Sequence, residues 1–112
     1  MSEDPSTSGV AMMTVVTTTR LRPGGAQEWD AAMRERFDSA RDRAGWISGQ
    51  LLTPLDEPDT RTIVGTWRSR EDWEAWHSDP AFLERRTVLE RLEAEPNRTQ
   101  WFDVVADAHA DS

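Results

Sequence analysis

Six segments follow one another along this sequence in the order β-α-β-β-α-β, and that order leaves few folds open. Four of them are short and rich in β-branched or aromatic residues, as strands are, and lie at residues 12–22, 46–53, 60–67 and 99–106. The other two carry apolar residues at helical spacing. This is the order of the ferredoxin-like split βαβ fold, in which four antiparallel strands carry helices on one face. The sequence therefore predicts an α+β domain built on a four-stranded antiparallel sheet.

Apolar spacing and capping residues mark both helical segments. In residues 26–44, apolar side chains recur every three or four positions, which predicts a helix. Ser69 is placed to cap the start of the second helical segment. The pair Asp79 and Pro80 divides that segment in two, and its second part is predicted to run to about residue 95.

The first predicted strand indicates that both faces of the sheet are covered. Its side chains are apolar or threonine on both faces as far as Arg20, whereas the helices of this fold cover one face. A second copy of the chain is the simplest cover for the other face, because a symmetric pair of sheets hides both at once. We therefore expect a homodimer whose two sheets close into a barrel.

Length and charge exclude several classes of function. The chain has 112 residues, which is enough for one core, and its formal net charge is −8. Four acidic residues lie in terminal segments that have no basic residue, so the folded part carries about −4. A negative protein repels phosphate backbones and anionic lipids, so neither nucleic acid nor a membrane is an expected partner.

Missing residue types narrow the chemistry further. The sequence contains no Cys, Lys or Tyr, which excludes a thiol nucleophile, a zinc-thiolate site, a Schiff-base lysine and a catalytic tyrosine. One His in the predicted domain is too few for a two-His metal site within a subunit, so no metal is expected. The start resembles no signal peptide and no apolar run approaches about 20 residues, so we expect a cytoplasmic protein.

Three stretches of the sequence resemble the antibiotic biosynthesis monooxygenase family, whose members form dimeric α+β barrels. They read RLRPGGAQEW, AGW and, most specific of the three, GTWRSREDWEAWHSDPAF, at residues 20–29, 44–46 and 65–82. The resemblance covers residues 12–106 and implies a ferredoxin-like domain over residues 11–106. We expect the flanking segments 1–10 and 107–112 to be disordered, because they are polar and acidic.

Two branches of this family imply different site residues. The heme-degrading branch has an Asn on the first strand, a Trp in the short helix and a heme-ligating His in the next helix. The matching residues here are Thr17, Trp76 and Arg86, and a guanidinium cannot ligate iron. The quinone-forming branch has a Trp ending the third strand, an aromatic residue in the short helix and an Arg in the next helix. Trp67, Trp73 and Arg86 match those positions.

The third strand offers a recess for a flat ligand. Strand alternation places Ile63, Gly65 and Trp67 on one face, so the glycine leaves space beside the indole. Two positions that are polar in the quinone-forming branch, an Asn and a His, appear here as Ile63 and Leu52. The alternative interpretation is that Trp67 is an ordinary core residue and that Gly65 marks a bulge.

Arg86 and His77 are the candidate charged or titratable groups. Arg86 follows Phe82 by one turn on the stripe expected to face the sheet, where a charge is costly unless it is paired. In that position it would hold a substrate oxyanion. The alternatives are a side chain reaching into solvent or an ion pair with a carboxylate such as Asp103. His77 is a candidate general base, and the alternative is a surface residue at a helix end.

The resemblance implies a cofactor-independent, O2-dependent monooxygenase that converts an electron-rich aromatic of the anthrone or polyphenol type to a quinone or hydroxylated product. The catalytic candidates are Arg86, Trp67 and His77. The other candidates would bind substrate, and they are Thr17, Ile63, Gly65, Trp73, Trp76 and Phe82. No cofactor is expected, with heme or an externally supplied reduced flavin as alternatives. The functions left open are a heme-binding or heme-degrading protein and a non-catalytic aromatic-ligand binder or cyclase on the same barrel.

Two charged runs receive no chemical role at this stage. Residues 34–43 and 84–95 are rich in acidic and basic side chains at helical pairing distances. We expect both runs to be solvated helix faces, with Arg86 as the exception within the second.

Overall fold

The structure is a computed structural model that describes residues 12–110. Its elements in chain order are β1 (Met13–Arg20), α1 (Ala26–Ala40), β2 (Trp46–Leu52), β3 (Thr60–Trp67), α2 (Arg70–His77), α3 (Pro80–Arg91) and β4 (Arg98–Asp103). This order confirms the predicted α+β fold and the division of the second helical segment. The predicted leader, residues 1–10, lies outside the described residues, as do the last two residues of the predicted tail.

The four strands form one antiparallel sheet in the order β2-β3-β1-β4. Val15 in the middle of β1 pairs with Gly65 on β3 and with Trp101 on β4, so these three residues share the face that the helices cover. Their neighbours in sequence point to the opposite face, which no helix of the described residues covers. Leu52 and Phe102 lie there and are 43% and 44% exposed.

Both long helices end earlier than their sequences predict, so the predicted ends at residues 44 and 95 are wrong. The first helix ends at Ala40, and turns lead to Gly45, whose φ is 86°. The carboxylate of Asp72 fills the space where a side chain at Gly45 would lie, so glycine is required there. Helix α3 ends at Arg91, because Glu93 then bridges to Leu21 at the end of β1.

The predicted cap of α2 is confirmed, and α3 begins with a cap of the same kind. The Ser69 hydroxyl accepts a hydrogen bond from the backbone N–H of Asp72 at 3.1 Å. The Asp79 carboxylate accepts one from the backbone N–H of Ala81 at 2.8 Å, with Pro80 in the first turn of α3. These caps fix the residues at which α2 and α3 begin.

The core consists of two clusters of buried apolar residues between the sheet and the helices. One cluster contains Met13, Val15, Ala40, Trp67, Trp76 and Phe82, and the other contains Leu21, Trp29, Met33 and Leu89. Members of both clusters line a single large cleft, which makes the core the wall of a site. Among the described residues, no helix is long and apolar enough to cross a membrane.

Candidate functional site

A large cleft lies between the helix-covered face of the sheet and the three helices, with a volume of about 710 Å³. It is lined by every residue that the sequence singled out for catalysis or binding, namely Thr17, Ile63, Gly65, Trp67, Trp73, Trp76, His77, Phe82 and Arg86. Leu52 lies on the opposite face of the sheet, so the His of the quinone-forming branch has no counterpart on the cleft wall at that position.

Aromatic rings form one wall of the cleft. Trp67 at the end of β3 is 1% exposed and lies 5.3 Å from the ring of Trp76, which in turn packs edge-on against Phe82 at 4.8 Å. Trp73 stacks on His77 at 3.9 Å. Residues three and four positions apart share a helix face, so α2 presents Trp73, Trp76 and His77 together. A flat aromatic ligand finds ring faces and edges here that match its own.

The floor of the cleft is a stretch of sheet with little side-chain volume. Gly65 pairs in regular register with Val15 and with Gly49, and the irregularity in β2 lies elsewhere, so Gly65 marks no bulge. A Cβ placed at Gly65 would lie 3.6 Å from Nε1 of Trp67. The predicted recess beside the indole is therefore present. The Thr17 hydroxyl also lines the cleft, lies 3.2 Å from the hydroxyl of Thr99 and supplies a polar contact.

His77 is half-buried in this wall and does not lie on the open surface. Its Nδ1 lies 2.9 Å from the backbone carbonyl of Trp73, and because a carbonyl only accepts, Nδ1 carries the proton. Burial lowers the pKa of His77 to about 4, with further lowering by the charges of Arg36 and Arg86. The imidazole is thus neutral at pH 7, and Nε2 keeps its lone pair.

Arg86 is not the buried cation that its place on the α3 stripe predicts. Its side chain is 54% exposed, and Nε donates to the Glu90 carboxylate at 2.9 Å. The long side chain reaches from the edge of the stripe toward solvent and pairs one helical turn away, which avoids the cost of burying a charge. Solvent exposure is thus confirmed, although the partner is Glu90 and not Asp103. Arg86 remains at the mouth of the cleft.

The enclosed cation of the cleft is Arg36, which the sequence assigned to a solvated helix face. Its guanidinium carbon lies 3.8 Å from the ring centre of Phe82 and 5.4 Å from that of Trp76. Its Nε is buried and has no hydrogen-bond partner among the described residues. Burial, followed by the charge of Arg86, lowers the pKa of Arg36 to about 9, so the group is charged at pH 7. Arg36 lies seven residues after Trp29, which places it on the buried face of α1. That spacing was the sequence signal that could have identified Arg36 as part of the site.

Glu93 is a second group that the sequence placed in solvent and the structure places in the cleft. It is 8% exposed, and its Oε2 accepts a hydrogen bond from Nε1 of Trp29 at 2.9 Å. The early end of α3 and the bridge to Leu21 carry it inward. Burial raises the pKa of the Glu93 carboxyl, although the bond from Trp29 lowers it. Its spacing of four residues from Leu89 was the sequence signal.

Comparison with protein families gives one match. The profile described as antibiotic biosynthesis monooxygenase matches residues 12–87, which include the first strand, the short helix and part of α3. A search of curated proteins found no match to this chain.

Solved structures share this fold at low sequence identity. SnoaB from Streptomyces nogalater, described as a cofactor-independent oxygenase, superposes with a TM-score of 0.77 and 17% identity over 86% of this chain and 95% of that one. Rv0793 from Mycobacterium tuberculosis superposes with a TM-score of 0.78 and 18% identity, over 88% of this chain and 99% of that one. A conserved protein from Methanosarcina mazei superposes with a TM-score of 0.79 and 14% identity, over 86% of this chain and 95% of that one.

Proposed function

Because this chain belongs to the antibiotic biosynthesis monooxygenase family, we propose that it is a monooxygenase that oxidises a flat, electron-rich aromatic of the anthrone or polyphenol type without a bound cofactor. One observation carries the proposal. It is the cleft of about 710 Å³ in which an aromatic wall and a glycine floor enclose a positive charge. Likeness in fold to a cofactor-independent oxygenase supports the same reaction class.

The substrate supplies the electrons in the proposed reaction. A phenolate or enolate transfers one electron to O2, and the resulting substrate radical and superoxide combine to form a carbon–oxygen bond. The ring carbon then loses its hydrogen as a proton while the O–O bond breaks, which leaves a carbonyl group and releases water. One oxygen atom enters the quinone and the other enters water, so no outside reductant is needed.

The cleft residues favour the anionic, reactive form of such a substrate. A positive charge enclosed in an apolar site lowers the pKa of a nearby phenol and so increases the fraction of phenolate. Trp67, Trp76 and Phe82 would bind the ring and exclude water, which strengthens that electrostatic effect. Trp73, Ile63 and Thr17 would complete the binding surface, with the recess at Gly65 receiving the ring edge.

His77 has a binding role in this proposal. A pKa of about 4 makes the imidazole a weak base toward a phenol, whose pKa is about 10. Its Nε2 lone pair is suited to accept a hydrogen bond from a substrate hydroxyl. We therefore expect His77→Phe to raise KM more than it lowers kcat.

An isotope experiment tests the reaction directly. The purified protein and 1,8-dihydroxyanthrone are incubated in an oxygen electrode under ¹⁸O2, and the product is analysed by mass spectrometry. We expect O2 uptake at a rate above that of protein-free buffer, with one ¹⁸O atom in the quinone. Arg41→Gln, an exposed change just after α1, serves as the surface control and keeps that rate. Equal product formation without O2, or uptake at the buffer rate across a panel of polyphenols, overturns the proposal.

Heme binding is a second candidate function, and the hydrogen bonding of His77 favours it. Metal-bound His residues commonly donate their other N–H to a backbone carbonyl, as Nδ1 does here toward Trp73. His77 would then hold the iron through Nε2, and heme would supply a centre for O2 chemistry. A Soret shift on hemin titration, kept in His109→Ala and lost in His77→Phe, supports this function. Absence of the shift eliminates it.

The proposal includes a homodimer that forms through the uncovered sheet face. Leu52 and Phe102 are large exposed apolar residues on that face, and Val16 lies between the flanking strands. A symmetric pair would bury them against the same residues of the second copy. We expect a dimer by light scattering and a monomer for Val16→Glu, and a monomeric wild-type protein at micromolar concentration contradicts this. The cytoplasmic location and the exclusion of nucleic-acid and membrane partners stay predictions.

A further inference from the structure

Two opposite charges are enclosed in the same cleft and do not pair with each other. Arg36 lies on α1, and Glu93 follows the end of α3, and both line the cleft. Neither takes part in a salt bridge among residues 12–110. Burying a charge without a partner is costly, and a direct ion pair would offset that cost. Because both side chains line the same cleft, a ligand bound there can contact both of them.

Packing, and not hydrogen bonding, holds the Arg36 guanidinium in place. Its planar group lies over the ring of Phe82 at 3.8 Å, and the enclosed Nε has no acceptor. A guanidinium has five N–H donors that can bond to an anionic oxygen. Arg36 lines the cleft, so an anion that enters the cleft can reach its guanidinium.

Glu93 is held from one side and leaves one oxygen for a ligand. The Trp29 indole donates to Oε2 at 2.9 Å, and the bridge to Leu21 fixes the backbone. No described group donates to Oε1. A carboxylate accepts at both oxygens, so Oε1 is suited to accept a hydrogen bond from a hydroxyl group.

The other charges at the cleft are already satisfied. Arg86 pairs with Glu90 at 2.9 Å, and Arg22 donates to the backbone carbonyl of Arg91 at 3.1 Å. Both of these cations are exposed to solvent, and the charge of Arg86 is already offset by that of Glu90. Arg36 carries no such contact, so it offers the stronger site for an anion.

We propose that Arg36 and Glu93 together receive the polar edge of the aromatic substrate, an inference that rests on the proposed function. Arg36 binds an anionic oxygen, and Glu93 accepts a hydrogen bond from a hydroxyl group elsewhere on the same edge. The ligand class is a flat aromatic that carries both an ionised oxygen and a hydroxyl group.

Three naphthalene probes separate the two contacts. They are 4-hydroxy-2-naphthoate, which has both groups, 2-naphthoate, which lacks the hydroxyl, and 1-naphthol, which lacks the carboxylate. Affinities are measured by isothermal titration calorimetry without O2, on the full chain. We expect the wild-type protein to bind 4-hydroxy-2-naphthoate most tightly. Undetectable binding of both naphthoates overturns the proposal.

Variants assign each contact to its residue. We expect Arg36→Met to weaken both naphthoates about 30-fold, the effect of losing a charge-assisted hydrogen bond, and 1-naphthol by less than about threefold. Glu93→Gln keeps an acceptor for Trp29 and removes the charge. It is expected to weaken 4-hydroxy-2-naphthoate about fivefold and to strengthen 2-naphthoate, because a nearby negative charge is gone.

Two further variants keep the test decisive. Arg86→Met lines the same cleft and is expected to change naphthoate affinity by less than about threefold, since its charge is paired and exposed. Arg36→Lys keeps the charge and is expected to retain part of the affinity, which also answers the case in which Arg36→Met fails to fold. Equal losses in Arg36→Met and Arg86→Met, or wild-type affinity in Arg36→Met, overturn the proposal.

Oxygen uptake by the same proteins distinguishes this inference from the proposed reaction. Probe binding that depends on Arg36, without O2 uptake on any polyphenol, supports the paired charges and overturns the monooxygenase. Oxidation of a polyphenol with equal kcat/KM in the wild-type protein and Arg36→Met supports the monooxygenase and overturns the paired charges.

Discussion

Arg61 and Arg36 each carry an enclosed guanidinium group, and the surroundings of the two groups are opposite. Arg61 on β3 is 8% exposed, and it binds both oxygens of Asp30 at 2.8 and 3.0 Å. Its Nη1 also donates to Thr53, Pro58 and Thr60 at 2.9 to 3.0 Å. Arg36 has two aromatic rings beside it and no hydrogen-bond partner for its Nε among the described residues.

The pKa directions of the two residues follow from this difference. The hydrogen bond to Asp30 raises the pKa of Arg61, whereas burial lowers that of Arg36 to about 9. Pairing compensates for burial at Arg61, whose bonds to Asp30 join β3 to α1. At Arg36 the charges of Glu93 and Glu90 compensate only in part, and no hydrogen-bond acceptor for its Nε lies among the described residues. An arginine that the fold satisfies is structural, and one that the fold leaves unsatisfied beside a cleft is available to a ligand.

The largest expected effect is the loss of stability when the pair of Arg61 and Asp30 is broken. We expect Arg61→Met to lower the free energy of unfolding by about 3 kcal/mol, because Asp30 stays enclosed without its partner. Urea denaturation followed by circular dichroism measures the change. Arg41 follows the last residue of α1, and its side chain is 71% exposed. Arg41→Met is the control and is expected to change stability by less than about 0.5 kcal/mol. A loss below about 1 kcal/mol for Arg61→Met would remove the contrast between the two arginines.

The cleft is expected to be the acid-sensitive region. His77 has a pKa near 4 in the folded protein and about 6.5 when unfolded, so the unfolded state binds the proton more readily below pH 6.5. The free energy of unfolding is therefore not reduced by His77 above pH 6.5, and it falls as the pH drops from 6.5 toward 4. The expected fall is about 2 kcal/mol between pH 7 and pH 5.

Unfolding curves at the two pH values isolate that contribution. His77→Phe should lose less stability than the wild-type protein over this interval, whereas His109→Ala, with an exposed side chain, should lose as much. Identical pH dependence in His77→Phe and wild type would mean that the imidazole is not desolvated in solution.

The glycine floor gives a smaller effect that is confined to binding. We expect Gly65→Val to weaken 4-hydroxy-2-naphthoate about tenfold, because its side chain would fill the recess beside Trp67. Stability should not fall, since valine favours a strand more than glycine does. Gly65→Ala is the matched control, because its Cβ meets ordinary contacts at 3.6 Å. Unchanged affinity in Gly65→Val would place the ligand elsewhere.

The smallest expected effect sharpens the contrast with Arg61. We expect Arg36→Met to change the free energy of unfolding by no more than about 1 kcal/mol in either direction, since an apolar side chain replaces an unpaired charge. The measurement is the same urea series. A loss as large as that of Arg61→Met would show that Arg36 has a structural partner.

The elements of the fold and the members of the cleft were readable from the sequence, because both depend on local patterns. Strand alternation placed Gly65 beside Trp67, and the spacing of apolar residues marked the helices that line the cleft. The Ser69 cap was likewise marked by residue type. Each of these features depends on residues within a few positions of one another.

The charged groups of the site were misassigned, because their surroundings come from distant parts of the chain. Arg86 and Arg36 both lie on stripes that face inward, and spacing does not distinguish them. Arg86 pairs with Glu90 in its own helix, while Arg36 is enclosed by Phe82 of another helix. Glu93 is buried by a bridge to Leu21, 72 positions earlier, which no local pattern records.

Residue type and spacing were therefore sufficient to establish the order of strands and helices, the caps and the aromatic character of one wall. The state of each charge required the folded chain, because a guanidinium or carboxylate is satisfied or left unpaired according to which atoms lie around it in space. Side-chain length lets one arginine reach solvent and leaves another enclosed, and the difference arises only when α1, α3 and the sheet are packed together.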